Sequence, residues 1–67
     1  MELRAKLANN LKRMREEQGL SQEEFAHRAG LHRTYVSMVE RQTSAPSITV
    51  LEKIAKGLGV EAWEVLR

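Results

Sequence analysis

Arg33, Thr34, Ser37, Met38 and Arg41 all lie in the stretch LHRTYVSMVER, Leu31–Arg41. On a helix turning about 100° per residue they share one arc of about 140°, and no carboxylate falls inside it. Val36 and Val39 point the other way, and Tyr35 sits on the border. A guanidinium can engage two acceptors at once, a hydroxyl donates or accepts, and a thioether offers a polarisable apolar contact. Together these groups suit the edges of nucleic-acid bases: Arg matches O6 and N7 of guanine, Ser and Thr match several edges, and an apolar group touches the thymine methyl. The same arc also fits a solvated helix face with one Met, or a docking surface for a partner helix or an acidic protein. Ser, His and Glu are present, but no nucleophile–base–orienter set follows from the helical geometry, so an enzyme is not expected.

The whole chain bounds these options. It has 67 residues, no cysteine, one proline, four glycines and a formal net charge of +2. A chain of this length is one small domain, spanning 1–67, that buries roughly 60% of its unfolded surface. No disulfide or thiolate metal site can supplement its core. His27 and His32 lack a third ligand, so no metal or other cofactor is expected, and no small-molecule substrate is evident. No run approaches the roughly 20 apolar residues of a membrane span, and MELRAKLANN lacks the apolar block of a secretion signal. A cytoplasmic protein without a membrane partner or a separate effector domain is the expectation.

An all-α fold of five short helices follows from the periodicity. Leu3, Leu7, Leu11 and Met14 mark one face of a first helix over Glu2–Glu17, which Gly19 ends. Ser21 and Glu24 form a capping box that opens a second helix, Gln22–Ala29, with Phe25, Ala26 and Ala29 inward. Gly30 closes it. The third helix spans Arg33–Gln42, and TSAPS forms a loop. Ser47 caps a fourth helix with Leu51, Ile54, Ala55 and Leu58 inward. Gly59 stops that helix, and Glu61–Leu66 supplies the fifth. Helices two and three are joined by only Gly30, Leu31 and His32, which is the helix-turn-helix pattern. Glu40 falls close to the core-facing arc of helix three, where a lone carboxylate is costly. Arg15, near the end of helix one, is its expected partner.

The stretches GLSQEEFAHRAGLHRTYVSMVER and PSITVLEKIAKGLGV resemble the helix-turn-helix domain of the phage repressor and Cro class, the Xre family. The similarity covers residues 8–66. Within that class, LHRTYVS is similar to the turn and reading helix of restriction–modification controller proteins.

The resemblance implies a compact five-helix, lambda-repressor-like DNA-binding domain with helix three in the major groove of double-stranded DNA. It implies base reading by Arg33, Thr34, Ser37 and Met38. It implies phosphate contacts by Gln22 at the start of helix two, and by His32, Tyr35, Arg41, Thr43 and Ser44, with Lys12, Arg13 and Arg28 adding charge. A largely buried ion pair between Arg15 and Glu40 belongs to the same pattern.

Two positions depart from it. His32 stands where Ser or Thr usually caps the reading helix. Trp63 stands where the family usually has a polar residue. An aromatic there suits a homodimer contact, with Ile48, Val60, Val65, Leu66 and Pro46 nearby. The expected function is sequence-specific transcriptional regulation by a homodimer on a near-palindromic operator.

Overall fold

The computed structural model describes residues 2–67. Helix α1 runs Glu2–Glu17, α2 Gln22–Ala29, α3 Arg33–Glu40 and α4 Ile48–Leu58, followed by a 3-10 helix, Ala62–Val65. The helix starts follow from local chemistry. Ser21 Oγ accepts the Glu24 amide at 3.0 Å while a Glu24 carboxylate oxygen takes the Ser21 amide at 2.8 Å, so two orphan donors at the start of α2 are satisfied reciprocally. At the start of α4, Ser47 Oγ accepts the Val50 amide at 3.2 Å.

The helices enclose one core. Leu7, Ala8 and Leu11 come from α1, Phe25, Ala26 and Ala29 from α2, Val36 and Val39 from α3, and Ile54, Ala55 and Leu58 from α4. Helix α2 packs on both α3 and α4, and α1 packs on α3, on α4 and on the 3-10 helix. The α2–α4 approach is close at Gly57, where a Cβ would lie 2.8 Å from Ala29 Cβ and 2.9 Å from the Phe25 ring. Glycine inside a helix costs about 1 kcal/mol against alanine. Here the missing Cβ is what lets the two backbones meet.

Several expectations need correction. The fifth helix is a single 3-10 turn, closed by Glu64 N–H to Glu61 O and Leu66 N–H to Trp63 O, each three residues back. Three-back bonding is the usual geometry of a run of only four helical residues. Helix α3 ends at Glu40, not Gln42. Its exit uses Gln42 N–H to Val39 O and Thr43 N–H to Met38 O, both at 3.0 Å, with Gln42 in the left-handed region at φ 64°. This is the helix-ending motif normally served by glycine, as at Gly30, where φ is 73°.

The third correction concerns Val65, expected at a dimer contact. Its side chain is 0% exposed and belongs to the core. Asn10 Nδ2 donates to the Val65 carbonyl at 2.9 Å and Gln18 Nε2 donates to the Leu58 carbonyl at 2.8 Å. Helix α1, through Asn10, and the turn that follows it, through Gln18, thereby clamp the C-terminal turn and the last turn of α4 inward. Leu51, expected inward, is only half-buried, and Leu3 is 47% exposed.

Candidate nucleic-acid interface

Gly30 turns the chain out of α2, and His32 opens α3. His32 Nδ1 accepts the Thr34 amide at 3.2 Å. The imidazole therefore does the work of the missing hydroxyl cap. With Nδ1 as acceptor, the neutral ring carries its proton on Nε2, which leaves that donor for an outside acceptor. The side chain is exposed.

The next turns of α3 carry Arg33 and Thr34, both exposed, and Ser37 and Met38, both half-buried. Gln22, Arg33, Thr34, Ser37 and Arg41 line one concavity of about 300 Å³ between the start of α2 and the outer face of α3. None of these lining residues is acidic. Met38 does not line it. Tyr35 is half-buried and packs against the core. Arg41, exposed, folds back one turn, and its Nη1 donates to Ser37 Oγ at 2.8 Å.

Beneath this surface lies a charged network. Arg15 Nε donates to Glu40 Oε2 at 2.7 Å, and Nη2 donates to Oε1 at 3.1 Å. Arg15 Nη1 donates to the Leu20 carbonyl at 2.7 Å. The two side chains are 9% and 5% exposed. The hydrogen bond to Glu40 raises the Arg15 guanidinium above its ordinary pKa, against burial, with the charges of Glu40 and Glu16 adding to the effect. Gln22 Nε2 completes the set by donating to Glu40 Oε1 at 3.0 Å. An amide nitrogen has two protons, so Gln22 keeps one donor for a phosphate while anchored to Glu40.

Thr43 is placed differently from its expected phosphate role. Its hydroxyl donates to the Met38 carbonyl at 3.1 Å, and its amide donates to the same oxygen. A phosphate oxygen only accepts, and neither Thr43 donor is left for one. Ser44 is half-buried. The sequence reading missed the Ser37–Arg41 and Gln22–Glu40 bonds. The first has an i,i+4 spacing that announces it. The second spans 18 residues and has no local signal. Of the positions expected at a dimer contact, Ile48 is 77% and Trp63 59% exposed. Val60, Leu66 and Pro46 are half-buried. The Arg67 guanidinium lies 5.2 Å from the Trp63 ring centre.

A family model described as helix-turn-helix matches residues 11–62. A hypothetical transcription factor of Neisseria meningitidis serogroup B is 48% identical over 65 residues, covering 97% of this chain and 61% of that protein. The chain thus spans less than two thirds of that relative's length. A crystal structure of a hypothetical transcription factor from Neisseria matches with a TM-score of 0.93 at 48% identity, over 97% of this chain and 75% of the other. Control protein C.MunI of Mycoplasma sp is 40% identical over 65 residues, covering 96% of this chain and 88% of that protein. The restriction–modification controller protein C.AhdI of Aeromonas hydrophila has a TM-score of 0.88 at 37% identity, over 92% of this chain and 94% of the other. Helices α2, α3 and α4 all lie inside the matched family segment, and with the turn at Gly30 they identify the chain as a member of the Xre-type helix-turn-helix family of DNA-binding transcriptional regulators.

Proposed function

We propose that the protein is a sequence-specific regulator that binds a near-palindromic operator as a homodimer, with α3 in the major groove. The observation that carries this reading is the concavity lined by Gln22, Arg33, Thr34, Ser37 and Arg41. Arg33 reads guanine, Thr34 and Ser37 bond neighbouring edges, and Met38 meets a thymine methyl. Gln22, His32 Nε2, Tyr35 and Ser44 hold the backbone, where the amides at the start of α2 also favour an anion.

The homodimer is supported by the exposed Ile48 and Trp63. A mainly apolar cleft of about 220 Å³ lined by Leu3, Arg4, Leu7, Ala45, Pro46, Leu51 and Leu66 also favours it. Two copies would set their reading helices about 34 Å apart, one turn of B-DNA. The protein acts in the cytoplasm; among the described residues no helix is long and apolar enough to cross a membrane. The stretch LHRTYVS and the likeness to control proteins favour a restriction–modification controller. An adjacent methyltransferase and endonuclease gene pair would support that role.

Selection of bound duplexes from a random pool, with sedimentation of the free protein, tests the proposal. The expected result is an inverted repeat with half-sites one helical turn apart, bound by a dimer. Enrichment of no sequence, or of one unrepeated half-site by a monomer, overturns it.

A further inference from the structure

Arg41 follows the last residue of α3, a place from which a basic side chain can reach outward to a phosphate. Its guanidinium goes back along the helix instead, to Ser37 Oγ at 2.8 Å, and joins Gln22, Arg33 and Thr34 around one concavity. We propose that Arg41 is a specificity-determining residue that reads a guanine from the face of α3, positioned by Ser37, rather than a backbone contact. This rests on the regulator function proposed above.

Three features support it. A guanidinium has five N–H donors, and Ser37 takes one, so an intact Nε–Nη2 edge remains for O6 and N7 of guanine. The Arg41 backbone is anchored, because its amide donates to the Ser37 carbonyl at 3.0 Å and the closing bonds of Gln42 and Thr43 follow at once. Among the described residues no carboxylate pairs with it: the adjacent Glu40 carboxylate is 5% exposed and is occupied by Arg15 and Gln22.

The bond also changes Ser37. With its oxygen accepting from a cation, the hydroxyl is polarised, and its own proton becomes the group to offer. Ser37 then prefers a base edge that accepts, such as a purine N7 or thymine O4. Arg33 and Arg41 together would place two guanidinium forks on the same face, with Ser37 between them along the helix.

Random-pool selection with the wild type, Arg41→Ala, Arg41→Lys and Ser37→Ala separates a base reader from a phosphate contact. The thermal midpoint of each variant checks that the substitutions leave the fold intact. Both Arg41 variants should lose the preference at one and the same base pair, with the rest of the motif kept. Affinity for the wild-type site should fall about 5- to 150-fold, and Ser37→Ala should weaken the preference at that same pair.

An unaltered motif with a uniform loss of affinity, a salt slope lower by about one and rescue by Arg41→Lys overturns the proposal while leaving the regulator function standing. So does an unaltered motif with unaltered affinity. A wild-type protein that enriches no sequence overturns both.

Discussion

Arg15 and Glu40 meet through two hydrogen bonds, 2.7 and 3.1 Å, across 25 residues of sequence, with both side chains nearly sealed from solvent. The pair ties the last turn of α1 to the last residue of α3. It also holds Gln22, and through the Leu20 carbonyl it holds the turn before α2. The elements that present the concavity are therefore braced from behind by one guanidinium and one carboxylate.

Removing one partner of this pair leaves the other charge buried without compensation. Glu40→Ala is expected to cost about 3–5 kcal/mol, read from urea denaturation. A double-mutant cycle with Arg15→Met should return a coupling of about 1–3 kcal/mol. Coupling near zero would show that the two side chains do not act as a unit.

Arg33 is exposed at the first position of α3, so its substitution should leave folding nearly unchanged and alter DNA choice. Arg33→Ala is expected to cost about 1–3 kcal/mol at one base pair and to relax selectivity there. Binding isotherms on the selected site and on its single-base variants measure this. Equal weakening on every duplex would make Arg33 a phosphate contact instead.

Gly57 predicts the opposite pattern, a loss of stability with no change in DNA specificity. A methyl at this position meets Ala29 Cβ at 2.8 Å and the Phe25 ring at 2.9 Å. Overpacking costs about 1–3 kcal/mol; contacts this short, with the Ala29 backbone also 3.1 Å away, put it above the helix-propensity gain of about 1 kcal/mol. Gly57→Ala should lower the thermal midpoint. A midpoint equal to or above wild type would mean that α2 and α4 separate freely.

Glu24 links stability to pH. The hydrogen bond from the Ser21 amide, then the bond with the Ser21 hydroxyl and the charge of Arg28, hold its carboxyl below the ordinary value of 4.5. Because the folded pKa is depressed, this contribution is fully present above the unfolded value and is lost as pH falls through the folded one. Glu24→Gln keeps an acceptor for the cap but does not titrate. Thermal midpoints followed from pH 7 downward should show wild type losing more than Glu24→Gln below about pH 4.5. Parallel curves would mean that the capping carboxylate contributes nothing that titrates.

The order of the helices, and the starts and stops of α2 and α4, were legible in the sequence because their signals are local. Ser21 with Glu24 starts α2, Ser47 starts α4, and Gly30 and Gly59 close them. Each signal acts within a few residues through backbone groups that need a partner wherever the chain ends up. The apolar period also located most of the core, with Phe25, Val36, Val39 and Ile54 inward. The carboxylate-free arc of α3 followed from helical geometry alone. Glu40 was conspicuous for the same reason, as a charge on the wrong arc.

Only the tertiary structure decided which polar groups those elements spend on one another. Val65 packs its side chain into the core while Asn10, 55 residues away, holds its carbonyl. Thr43 closes α3 because Gln42 adopts a left-handed turn that composition does not suggest. Gln22 reaches Glu40 because α2 packs on α3 at one angle. A hydrogen bond needs its partners within about 3 Å and aligned. Sequence spacing sets that geometry along a single helix, and between helices it is set only by how their side chains pack.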